Sequence, residues 1–212
     1  MNSYGRLVVK TIETVFVESA TYNEKEIAAL LTLMAYKDLS YEIFGTCDDE
    51  KIIEKYSALW LFEDDRFSYH YSYIAKVDNN PVGLMTCYSP GLTKELIYPT
   101  IRHMVKTCGI RIIWHIITNL NYFYRFAKTK EAEPDEFYIG TLAVLPEYRG
   151  NGIGVKLLDY ARTLAKEQGF NKCSLLVEGV YEDGIRFYER NGFKKVFHST
   201  KPREYYKVLN CF

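Results

Sequence analysis

A mixed α/β fold around a central sheet is what this sequence predicts, and three observations predict it. The last third runs strand, glycine turn, amphipathic helix, strand, an order that calls for a parallel pairing. Upstream, "YSYIAKVDNNPVGLMTCYSP" (residues 71–90) reads as two short strands around an Asn-Asn-Pro turn, an antiparallel hairpin. Finally, 48% of the 212 residues are hydrophobic, enough for one sizeable core.

Each element follows in order. The β-branched, partly alternating run from Leu7 to Ser19 suits a strand. A helix comes next, opened by a capping box of Asn23 and Glu26, with Ile27, Leu30, Leu31 and Met34 on one face. A second helix spans about Asp49 to Leu61 and begins with acids at its positive end. After the hairpin, residues 91–134 form a helical, aromatic insert. Pro99 fits a first turn, Ile101, Met104, Val105 and Cys108 make a stripe, and Gly109 can end it. "IRIIWHIITNLNYFYRFAK" reads as a further helix or a helix and turn, and "TKEAEPDE" as a polar linker. Then come the strand "FYIGTLAV", the helix in "GNGIGVKLLDYARTLAKEQG", the strand "KCSLLVE", the short helix in "DGIRFYERNG", and a closing strand pair, "FKKVFHS" with "EYYKVL". We read one domain over 1–212: an N-terminal region of strand, helices and hairpin (residues 1–90), the insert (91–134) and a core (135–212).

Composition excludes several classes of function. Lys and Arg number 27 against 27 Asp and Glu, so net charge gives no argument for nucleic acid or an anionic membrane as partner. The five cysteines are odd in number, spread out and without a C-x-x-C pair, which points to a reducing compartment. The start lacks the pattern of a signal peptide, and the longest apolar stretch is too short and polar to span a bilayer, so a cytoplasmic location is expected. The four histidines and five cysteines show no metal-ligand spacing.

The stretch "LPEYRGNGIG" (residues 145–154) carries the chemistry. Three glycines between a strand and a helix let backbone N–H groups approach a phosphate at the positive helix end, and Arg149 adds a permanent charge. The register is wrong for a P-loop, since Gly154 is followed by Val155, Lys156 and Leu157. It is also wrong for a dinucleotide fingerprint, whose third glycine falls on Val155. "LAVLPEYRGNGIGVKLL" instead resembles the acetyl-CoA signature of the GNAT superfamily of N-acetyltransferases, V-x-P-x-x-[RQ]-G-x-G-x-[GA]. Val144, Pro146, Arg149, Gly150, Gly152 and Gly154 match it.

The resemblance implies a mixed, mostly antiparallel sheet with helices on both faces, splayed at the strand before the glycine loop, with acetyl-CoA as cosubstrate in the split and no metal. Backbone groups of Leu142 and Val144 would pair with the pantetheine arm as an added strand does. The pyrophosphate would rest on the amides of Arg149, Gly150, Asn151, Gly152, Ile153 and Gly154. "IRFYERNGF" is similar to the family's second motif, in which Tyr188 takes the place of the tyrosine near the CoA sulfur. Tyr181 stands where that motif has an Asn that contacts pantetheine, and Gly184 where it has Ala.

Acetyl transfer needs an unprotonated amine, a polarised thioester carbonyl and a proton for the departing thiolate. The Val144 amide can serve the second and Tyr188 the third. For the base, the resemblance points to a carboxylate at the start of the strand before the loop: Glu136, or Asp135, with Tyr138 orienting a water. His103 and His115 in the insert are alternatives. An insert that lies over the site as a lid favours a small-molecule amine as partner, and the acidic groups Asp48–Glu50 and Glu63–Asp65 can attract a cationic one or simply be solvated. Protein Nα- or Lys-acetylation, a non-catalytic acyl-CoA sensor and a homodimer are left open.

Overall fold

The computed structural model describes residues 14–119, 131–199 and 205–212. Seven strands form one sheet in the order β1-β2-β3-β4-β5-β7-β6. They are β1 (Val15–Ser19), β2 (Ser72–Val77), β3 (Asn80–Tyr88), β4 (Phe137–Val144), β5 (Lys172–Glu178), β6 (Lys194–Ser199) and β7 (Tyr205–Cys211). Neighbours run antiparallel except β4 and β5, the parallel pair that the order of elements demands. The mixed α/β fold is therefore as expected. The strand expected from Leu7 begins at Val15 here, and residues 7–13 lie outside the described residues, as does the aromatic run from 120 to 130.

The helices are α1 (Lys25–Phe44), α2 (Asp49–Trp60), α3 (Pro90–Glu95), α4 (Ile97–Cys108), α5 (Arg111–Thr118), α6 (Ile153–Glu167) and α7 (Glu182–Arg190). Two expectations for α1 need correction. The capping box is Thr21 with Glu24, not Asn23 with Glu26: the Glu24 carboxylate accepts from the Thr21 amide at 2.7 Å, and Thr21 Oγ1 accepts from the Asn23 amide at 3.3 Å. Both pairs fit the pattern, but Glu24 is also held by Lys76 Nζ at 2.9 Å, which favours the upstream box. Nor does α1 bury a single stripe of Ile27, Leu30, Leu31 and Met34. Ala28 and Leu31 pack on the sheet residues Ile74, Leu84 and Ala143, while Ala29 and Leu33 pack on Ile52, Tyr56 and Leu59 of α2. Sandwiched between sheet and α2, the helix is apolar on two sides, and Ile27, Leu30 and Met34 are only half-buried.

On the other face α6 buries Ile153, Leu157, Leu158, Ala161 and Ala165 against Phe137, Ile139, Cys173, Leu175 and Val177. This cluster is the main core. The hairpin turn sits one residue earlier than expected, at Asp78 and Asn79, both in the left-handed region with φ of 49° and 65°. Pro81 falls inside β3 opposite Lys76, at an irregularity in the β2–β3 ladder that suits a residue without an N–H.

The insert is tied down by polar contacts. In α4, Met104 is buried as expected, but Ile101 is exposed and Thr100 and His103 turn inward instead. His103 stacks on the Phe62 ring at 4.0 Å, and its Nδ1 meets Asp65 Oδ2 at 3.1 Å. Burial pushes the Asp65 carboxyl up to about 6, against the opposing pull of the Phe67 amide and His103.

Candidate active site

The site begins where the sheet fails. β4 and β5 pair only at Phe137↔Cys173 and Tyr138↔Ser174, although β4 continues to Val144 and β5 to Glu178. Beyond those two pairs a gap opens between parallel strands. The Leu145 amide donates to Val82 of β3 at 2.9 Å, so strand alternation turns the N–H and C=O groups of Leu142 and Val144 the other way, into the gap. A bulge at Gly140, where the β3–β4 register shifts between Thr86 and Cys87, sets that orientation. Before it, odd residues Phe137 and Ile139 face α6; after it, even residues Leu142 and Val144 do.

At the far end of β4 the chain turns through Pro146–Tyr148 into the glycine loop. Gly150 and Gly152 have φ of 80° and 76°, and Gly152 caps α6 in the left-handed conformation. A Cβ on either would meet nothing within 4 Å, so the loop's outer side is open space. Gly154 is different: a Cβ there would come within 2.9 Å of Phe187 Cζ, because α6 and α7 approach closely at this point. Asn151 Nδ2 donates to the carbonyls of Tyr148 and Arg149 at 3.1 and 3.2 Å, and Arg149 Nε donates to Val144 O at 3.0 Å. Side chains thus occupy the loop's carbonyls, while the first amides of α6 lack partners within the helix, as at any helix start. This end attracts an anion.

At the closed end of the gap sits a group of phenols. Tyr188 of α7 packs edge-on against Phe187 and Phe193, and burial holds its phenol well above the usual tyrosine range. Tyr36 lies at a kink in α1, where φ reaches −118°. Its O–H donates to the carbonyl of Gly140 at the bulge, and it accepts from Thr141 Oγ1 at 3.1 Å. The Thr141 amide in turn donates to Thr86 Oγ1 at 2.8 Å. Arg66 pairs with Glu131 at 2.6 Å and lies over the Tyr88 ring. Both charges act electrostatically on the phenols of Tyr36, Tyr88 and Tyr138.

The other expected residues fall as follows. Glu136 is buried, 4% exposed, with its carboxylate held by Lys207 Nζ at 2.6 Å and by the Glu133 amide at 2.9 Å. Asp135 is on the surface, and its hydrogen bond with Lys172 keeps its carboxyl below the usual range. Burial raises the Tyr138 phenol well above the usual range. His103 is engaged with Asp65, and His115 Nε2 meets Glu42 O at 2.6 Å, both in the insert and not beside the gap. Tyr181 caps α7, its carbonyl accepting from Ile185 at 3.0 Å. Sequence reading missed Tyr36, Arg66, Glu131 and Ser174. The one signal available was Gly140 inside a strand run, the mark of a bulge.

The model of the acetyltransferase (GNAT) family matches residues 35–193. The chain belongs to the GNAT family. Among curated relatives this GNAT protein is 41% identical over 56 residues to N-alpha-acetyltransferase 30 of Schizosaccharomyces pombe, which covers 26% of this chain and 37% of that one. It is 38% identical over 76 residues to mycothiol acetyltransferase of Propionibacterium freudenreichii subsp. shermanii, covering 34% of this chain and 24% of the relative. The match thus spans well under half the length of either relative. Among solved structures, an acetyltransferase superimposes with a TM-score of 0.70 over 92% of this chain and 98% of its own, at 23% identity. PaiA N-acetyltransferase of Thermoplasma acidophilum, solved in complex with coenzyme A, gives 0.54 over 94% and 99%, at 16% identity. At such identities the likeness speaks to the GNAT fold. No described helix is long and apolar enough to cross a membrane. Nor do the described residues include a group of three or more His, Cys, Asp or Glu that could hold a metal ion.

Proposed function

We propose that the protein transfers an acetyl group from acetyl-CoA to the primary amine of a small molecule, by direct attack in a ternary complex. The observation that carries this reading is the gap between β4 and β5, with the Leu142 backbone and the Val144 amide turned into it along one wall, an anion-attracting helix end at one limit and phenols at the other. In this reading Leu142 and Val144 pair with the pantetheine arm, and Tyr181 lies beside it. The pyrophosphate sits on the amides of residues 150–154, because the Arg149 amide, also expected there, donates to Pro146 O at 3.2 Å. The Val144 amide polarises the carbonyl.

Tyr188 supplies the proton for the leaving thiolate. A phenol whose pKa is raised stays protonated through neutral pH, so it acts as donor and not as base. Two carboxylates compete for the amine's proton. Glu136 reaches it through water from its pairing with Lys207, while Glu131, paired with Arg66, acts electrostatically on Tyr36 and Tyr138. Loss of the pH-dependent limb of kcat/KM on Glu136→Gln or on Glu131→Gln assigns the base.

The test of the function is release of free thiol from acetyl-CoA across a panel of primary amines, with calorimetry of acetyl-CoA alone beside it. Turnover with at least one small amine is expected. Binding without turnover of any amine or peptide would leave a sensor, and no binding would overturn the reading. A second reading, Nα-acetylation of a peptide, draws on the likeness to N-alpha-acetyltransferase 30, so a peptide with a free N-terminus belongs in the panel.

A further inference from the structure

Ser174 on β5 is buried to 0% exposure, and among the described residues its hydroxyl is a buried side-chain polar atom with no hydrogen-bond partner. A buried hydroxyl left unpaired costs about 1–3 kcal/mol, so its persistence asks for a partner beyond the described residues, and a bound ligand is one. Its place in the sheet says where that partner sits. Ser174 is opposite Tyr138 in the last pair before the two strands part, at the closed head of the gap. Paired residues share a face, so Ser174 lies on the side of Tyr138 and the insert. Its neighbours Cys173 and Leu175 face α6 instead. The phenol of Tyr138 across from it is likewise buried, and burial raises it well above the usual range.

We propose that Ser174 is a further catalytic residue: its O–H donates to the thioester carbonyl oxygen of the acyl-CoA bound between β4 and β5. This rests on the acetyl-CoA reading above. The chemical match is specific, because a carbonyl oxygen only accepts, and an orphaned buried hydroxyl lacks above all an acceptor for its proton. During attack the carbonyl oxygen gains negative charge, and a donor fixed in a dry site grows stronger as it does. No proton changes hands in this step. Ser174 thus adds a side-chain donor to the backbone amide of Val144.

Two ligands that differ only in the acyl group test it. Calorimetry of the full chain with acetyl-CoA and with CoA, for wild type and Ser174→Ala, reads the contact directly. The expected result is about a tenfold loss of acetyl-CoA affinity in S174A with CoA affinity unchanged, the size of one lost hydrogen bond to a ligand. The unliganded melting temperature should hold or rise, since the substitution removes a polar atom that has no partner among the described residues. Equal losses for both ligands, no loss for either, or a lowered melting temperature would overturn the role of Ser174. If the wild type binds neither ligand, the acetyl-CoA reading falls and this one with it; if it binds both and S174A discriminates no less, only this one falls.

Discussion

Tyr188 carries the sharpest prediction at the scale of one residue. If its phenol protonates the leaving thiolate, Tyr188→Phe lowers kcat by about 100-fold while acetyl-CoA affinity stays within about twofold, as read by steady-state kinetics beside calorimetry. Equal losses in both would make it a packing residue. Gly152 separates conformation from bulk. At φ of 76°, with open space where a Cβ would go, Gly152→Ala should cost about 1–2 kcal/mol of stability through the backbone alone, measured by denaturant unfolding. Gly152→Val should weaken acetyl-CoA binding well beyond the alanine variant. The left-handed turn at Gly152 and the short helix that carries Tyr188 were legible because motif spacing and glycine's freedom are local. Tyr36 was not: its partner Gly140 is 104 residues away, and nothing near position 36 announces a phenol aimed at a distant bulge. Ser174 was hidden for a similar reason, since an unpaired hydroxyl is visible only once its neighbours are placed.

Among elements, the β4 bulge governs the site. The kink in α1 delivers Tyr36 to Gly140, and the bulge turns Leu142 and Val144 toward the gap. Tyr36→Phe removes the donor from a part-buried carbonyl, so a loss of about 1 kcal/mol in stability is expected, together with a fall in kcat as the strand relaxes. Gly140→Ala should be worse. Its Cβ would approach Tyr88 Cε2 at 2.5 Å and Thr86 Oγ1 at 2.9 Å, and overpacking of this kind costs about 1–3 kcal/mol, measured by chemical denaturation. The strands of the core, the hairpin and the parallel pairing were all readable, because their turn residues and alternation lie within short windows. The face of α1 was not, since a helix packed on two sides loses the single apolar stripe that periodicity detects.

For the whole molecule, the aromatic content decides behaviour in alkali. Burial pushes the Tyr73 phenol up to about 12 and raises those of Tyr36, Tyr88, Tyr138 and Tyr188. A phenol whose pKa is higher folded than unfolded binds its proton more tightly in the native state. Its contribution is complete below the unfolded value near 10 and is lost as pH rises from there through the folded value. Melting temperature should therefore hold between about pH 7 and 9 and fall steeply above about 10; a flat profile to pH 12 would contradict the burial of these rings. The insert was foreseen as helical, but not the polar contacts that pin it, because Asp65 with His103 and Arg66 with Glu131 join residues far apart in sequence.

Within the sheet itself, only two residue pairs of the described ladder join β1–β4 to β5–β7. The molecule resembles a book with a short spine, and whatever lodges between its covers becomes the missing binding. Amide hydrogen exchange should register this: unoccupied, the inner edges of both covers exchange fast, and saturation with acetyl-CoA slows them together, so the cosubstrate doubles as a piece of the protein's own architecture.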